Sequence, residues 1–194
     1  MQKLARADLM SLEQYAVERV RLRDEVIALK QRRRVQVGPN MTWSFEDRTT
    51  IRYQIQEMLR TERIFESEGI QGELDAYNPL IPDGNNWKAT LLIEFPDPVE
   101  RHIALGKLIG VEDRCWVQIG GLERVSALAD EDLERENAEK TSAVHFLRFQ
   151  LSPPMVNAMK SGATLSVGVD HENYRHSVSP VPAPVRDALE ADLD

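Results

Sequence analysis

The sequence has one cysteine, Cys115, in 194 residues. That excludes an internal disulfide and any cysteine-rich zinc or iron–sulfur site. It also makes a cytoplasmic setting the expectation. Histidine is scarce, with four in all. No apolar run approaches the ~18–20 residues of a membrane span. The N-terminus, MQKLARADLMSLEQY, lacks the apolar centre of a secretory leader. No glycine-rich phosphate loop is spelled, since GVDHENY and IGG do not match one. No internal repeat is visible.

What is present is an ordinary globular balance, 42% hydrophobic and 29% charged, long enough for one domain with a real core. The net charge of −8 is unevenly spread. Residues 1–34 hold nine Lys/Arg against five Asp/Glu, and the remainder is strongly acidic. An acidic chain repels nucleic acid at long range. The basic run Lys30, Arg32, Arg33 and Arg34 is therefore expected to answer acids of its own chain, with Arg32 and Arg34 solvated.

Ser11 and Gln14 spell a capping box, which predicts a long helix from about Leu12 to Gln31. RRRVQVG and MTWSFED alternate like strands around the turn GPN, a hairpin. A second helix is expected over about Arg48 to Glu68, ending near Gly69, and a shorter one over Gln71 to Tyr77. WKATLLIEF, RCWVQIGG and AVHFLRFQL read as strands. Asp97-Pro98 and Ser152-Pro153-Pro154 open helices, and TLSVGVDHENYRHSV reads as a hairpin. A short acidic helix closes the chain. Residues 126–142 hold six acids and two bases, an acidic mobile loop or surface helix. The sum is a single α+β domain over residues 1–194, with an antiparallel or mixed sheet and helices mainly on one face.

Two helices break their apolar faces with charge. The stripe Leu12, Tyr15, Ala16, Val20, Leu22, Val26 and Ile27 carries Arg19 and Arg23. The stripe Ile51, Ile55, Met58, Leu59 and Phe65 carries Glu62. Buried charges demand partners, so the helices are expected to face each other, Arg19 and Arg23 meeting Glu62, with Arg33 joining from its strand. This is either a structural ion network or a site where Arg19, Arg23, Arg33 and Glu62 hold an anionic ligand. Glu57 and Arg60 are spaced for a local pair. Glu73 and Asp75 add carboxylates, but no helical Glu-x-x-His supports a di-iron centre.

His145 shares a strand face with Leu147, Phe149 and Leu151, which fits a hydrogen-bonded core histidine. It also fits a metal ligand. His171 and His176, with Asp170 or Glu172, are a second candidate set of metal ligands on the hairpin. Cys115 reads as a buried, inert thiol.

SLEQYAVERVRLRDEVIALKQRRRVQVGPNMTWSFEDRTTIRYQIQEMLRTERI, then ELDAYNPLIP, ATLLIEF, HFLRFQL and DHENYRH, resemble an uncharacterised bacterial family, a domain of unknown function, over nearly the whole chain. Genes of that family often neighbour those of rubrerythrin-like proteins and iron–sulfur or flavin oxidoreductases. The resemblance implies an accessory or binding protein of a redox or peroxide-defence system, with such an oxidoreductase as partner. No site residue follows from it. The alternative is a metal-dependent enzyme using His145, His171, His176 and nearby carboxylates.

Overall fold

A computed structural model describes residues 2–131, 135, 137 and 139–194. Helix α1 spans Leu12–Gln31. Its capping box is formed: Ser11 Oγ accepts from Gln14 N at 3.3 Å and Gln14 Oε1 from Ser11 N at 3.4 Å. Strands β1 (Arg34–Gln36) and β2 (Met41–Phe45) form the expected antiparallel hairpin. Gly38 turns it at φ +71, where a side chain would collide with Tyr174 and His176.

Helix α2 runs Arg48–Thr61 and α3 runs Ser67–Tyr77. The sequence predicts one helix through Glu68, yet α2 stops earlier. Arg63 takes a left-handed φ of 56°, and Ile64 N bonds back to Leu59 O. That is a Schellman-type stop without glycine, and Gly69 falls inside α3. A 3-10 turn at Asn78–Leu80 then leads to strand β3 (Asn86–Ile93). Helix α4 (Pro98–Lys107) is capped by Asp97, which accepts from Val99 N and Glu100 N.

The remaining elements are β4 (Cys115–Ile119), β5 (Val125–Ser126), β6 (Leu128–Ala129), β7 (Val144–Gln150), α5 (Pro153–Lys160), β8 (Leu165–His171), β9 (Tyr174–Val178) and α6 (Ala183–Ala191). They form two sheets, ordered β1-β2-β3-β7-β6 and β5-β4-β8-β9, and every pairing is antiparallel. The chain is α+β, as its pattern predicts. A split into two sheets was not foreseen. The acidic segment supplies the crossing: Val125–Ser126 pairs in one sheet, Leu128–Ala129 in the other, and buried Ala127 makes the step. The loop or surface helix expected over 126–142 thus begins as strand. Residues 132–134, 136 and 138 of that expectation lie outside the described residues.

Alternation places Val35, Trp43, Leu91, Leu147 and Phe149 of one sheet in a common core with Val117, Ile119, Val167 and Val169 of the other. Leu105 of α4, Met159 of α5 and Leu189 of α6 join it. The opposite face of the first sheet carries α2 and α3. Their apolar sides make a second cluster with Leu4: Ile51, Ile55, Leu59, Leu74 and Ile81. No helix among the described residues is long and apolar enough to cross a membrane.

Candidate functional site

The predicted arginine site does not assemble. Arg19 pairs with Glu57, Nε to Oε1 at 2.7 Å and an Nη to Oε2 at 2.8 Å. Tyr15 donates its hydroxyl to Glu57 Oε1 at 2.6 Å. Glu57 is therefore the interhelical acid, and its local pairing with Arg60 gives way to this contact. Glu62 stands exposed at the C-cap of α2, and Arg23 is exposed on α1. The correction has a physical cause. The covered side of α1 is Leu12, Tyr15, Arg19, Leu22, Val26 and Leu29, a 3-4 repeat. Val20 and Ile27, counted in the same stripe, point to solvent.

Arg33 goes elsewhere and is buried. Its guanidinium grips Asp192 at 2.8 and 2.7 Å. Its Nε also lies 2.9 Å from Asp47 Oδ2, a close ion contact rather than a directed hydrogen bond. Asp47 caps α2, accepting from Thr49 N and Thr50 N at 2.8 Å. Arg33 thereby ties the strand after α1 to the start of α2 and the end of α6. Every guanidinium edge meets acid, which suits a structural role.

The histidines separate too. His171 Nε2 lies 3.1 Å from Ile109 O, and its Nδ1 accepts from Asn173 N at 3.2 Å. One ring nitrogen serves the hairpin turn and the other ties it to the segment after α4. His176 is exposed, with its ring 4.6 Å from that of Tyr174. Asp170 pairs with Arg124. Neither His171 nor His176 joins a group of three ligand-type side chains among the described residues.

His145 does. Glu112, Asp130 and His145 place one potential ligand atom each within 4.8 Å of one another. Glu112 lies in a 3-10 turn ahead of β4, Asp130 follows β6, and His145 sits on β7. His145 is 0% exposed and Glu112 6%. Asp130 adopts φ +47, a strained conformation that cross-strand bonds hold in place. Its backbone N–H donates to Phe146 O, and its Oδ1 accepts from Phe146 N, both at 2.9 Å. Arg135 adds an ion pair at 3.1 Å. Its Oδ2 is thereby aimed at His145 Nδ1, 2.6 Å away.

A carboxylate on Nδ1 places the ring proton there. Nε2 then faces oxygen on every near side: Thr141 Oγ1 at 3.0 Å, Ser142 O at 3.1 Å and Glu112 Oε2 at 3.8 Å. Thr141 can donate, but a carbonyl and a carboxylate cannot. A lone pair turned on two acceptors in a buried place is unfavourable. A metal ion held at Nε2 would face all three oxygens.

Cys115 is buried beside this cluster and donates weakly to Val111 O. Burial, with the negative Glu112 and Asp113 nearby, pushes its thiol well above the usual range, which disfavours the reactive thiolate. Sequence reasoning found His145 but missed Asp130, Glu112 and Thr141. Asp130 was one acid in an acidic run. Only its place at the end of a strand beside β7 sets it apart.

The fold and this cluster define a two-sheet α+β protein with a buried histidine–carboxylate centre. The model for the family described as "Protein of unknown function (DUF3501)" matches residues 3–193, and the chain belongs to that family. It is similar to a solved structure, a novel protein of unknown function from Burkholderia pseudomallei K96243. The two share 50% identity with a TM-score of 0.94, each covered over 100% of its length. Among curated proteins nothing matches the chain.

Proposed function

We propose that this is a metal-binding protein whose divalent ion sits against His145 Nε2. The observation that carries the reading is that nitrogen, surrounded by Thr141 Oγ1, Ser142 O and Glu112 Oε2 while Asp130 holds the opposite edge of the ring. A carboxylate behind a ligating imidazole is the usual way proteins fix its tautomer and raise its basicity. Asp130 is that orienting group, and Glu112 is the anionic ligand. One imidazole with oxygen donors suits Zn²⁺ or Mn²⁺ better than a thiolate-seeking ion. Burial of His145 and Glu112 makes the site closed, the character of a structural or sequestered ion rather than one open to substrate. The non-catalytic reading is therefore favoured over the enzyme.

With it we propose a cytoplasmic accessory role in a bacterial redox or peroxide-defence system. The family resemblance supports that role, and a pull-down recovering a rubrerythrin-like, iron–sulfur or flavin oxidoreductase is the expected result.

The test of the site is native mass spectrometry of chelator-treated protein titrated with Zn²⁺ or Mn²⁺. The expected result is one ion per wild-type chain and none in His145→Ala or in the milder Glu112→Gln, with folding of each variant checked by circular dichroism. A bare polypeptide mass at saturating metal would overturn the metal reading and leave the cluster a buried hydrogen-bonded network.

A further inference from the structure

A cavity of about 500 Å³ lies between α3, the 3-10 turn after it, and the outer face of β3 and β7. That is the size of a small-ligand site. Met58, Tyr77, Leu80 and Phe146 supply apolar and aromatic wall. Three cations also line it, and each is already matched. Lys88 shares Asp83 with Lys3, at 3.1 and 3.0 Å, and donates to Pro79 O. Arg148 makes a two-pronged contact with Glu131, both arms 2.7 Å. Arg135 pairs with Asp130 at 3.1 Å and lies over the Phe146 ring, 4.6 Å from its centre.

Two lining carboxylates on α3, Glu73 and Asp75, have no ion-pair partner among the described residues. Asp75 accepts from Gln71 at 2.7 Å. Burial, with the negative Glu62 nearby, holds the Glu73 carboxyl above its ordinary range. The cavity is thus aromatic and apolar in body, with an uncompensated negative wall.

We propose that this cavity binds an organic cation of the aralkyl-amine class, its ammonium on Glu73 and its ring against Tyr77 and Phe146. Aromatic faces attract cations, and a half-buried carboxylate gains most from one. An anionic ligand would meet Glu73, and each lining cation already has an acid beside it. The site is separate from His145, whose side chain enters the core from the other face of β7.

The experiment is a nuclear magnetic resonance titration of the full chain with phenethylamine, and in parallel with 3-phenylpropanoate, its carboxylate counterpart. The amine is expected to bind, shifting the amides of Tyr77 and Phe146, and to outcompete the carboxylate. Glu73→Gln is expected to weaken it roughly tenfold or more. Glu73→Asp keeps the charge and is expected to retain most of the affinity, which keeps the test open if the first variant folds poorly. Equal or tighter binding of the carboxylate would overturn the proposal. So would amine affinity unchanged in Glu73→Gln, or no amide shift with millimolar amine.

Discussion

Arg33 shows how one side chain can organise distant parts of a chain. It is 4% exposed and bonds an aspartate 159 positions away. Removing one member of such a pair strands the other charge in the interior. Arg33→Ala and Asp192→Ala are each expected to cost roughly 3–5 kcal/mol in chemical denaturation. Glu62→Ala, at an exposed helix end, is expected to stay within about 0.5 kcal/mol. A large loss there would restore Glu62 as the interhelical partner of the arginines. The basic run that ends α1 thus divides: Arg33 is internal, while Arg32 and Arg34 stay in water.

At the scale of elements, α1 holds on through one face against α2. Tyr15 and Val26 are buried, whereas Val17 is 81% and Val20 70% exposed. Val20→Glu is accordingly expected to change stability by less than about 0.5 kcal/mol. Val26→Ala is expected to cost about 2 kcal/mol, by lost burial and the cavity left behind. Equal costs would place the docking face wrongly.

The polar part of the same interface sets a pH dependence. Hydrogen bonds from Arg19, helped by Tyr15 and opposed by burial, hold the Glu57 carboxyl below its usual value. The folded chain then binds this proton less readily than the unfolded one. The stabilisation is complete above the unfolded pKa, near the reference 4.5, and fades as pH falls toward the lower folded value. Glu57→Gln is expected to flatten the stability profile below about pH 5. An unaltered acid limb of the melting curve would remove Glu57 from the linkage.

For the whole molecule, the position of the His145 cluster matters more than its composition. Glu112 leads into one sheet, while Asp130 and His145 belong to the other. An ion there ties the two sheets together and should stabilise the global fold. Free metal at a hundredfold excess over its dissociation constant contributes about 2.7 kcal/mol. The thermal midpoint is expected to rise on adding Zn²⁺ or Mn²⁺ and to fall again with chelator. A midpoint indifferent to both would leave the sheets held by the apolar core alone.

Much of this architecture was legible in the residues themselves. The Ser11–Gln14 box and the Asp97-Pro98 start mark helices because caps act within one turn. Met41, Trp43 and Phe45 mark a buried strand face because strand alternation is local. The phase of α1 was not legible. Its apolar residues lie on two sides, and only docking on α2 chooses between them. The two-sheet split turns on Ala127, a small residue in a charged stretch with no periodic signal.

Charge pairing is where sequence alone runs out. It set the expectation that Arg19, Arg23 and Arg33 meet acids of the chain or an anionic ligand, because isolated buried charge is too costly to keep; Arg19 and Arg33 meet acids, and Arg23 is exposed. Tertiary structure alone decided which acids. Glu57, Asp47 and Asp192, and likewise Asp130 behind His145, are chosen by where strands and helices land, and Coulomb attraction depends on distance in space rather than along the chain.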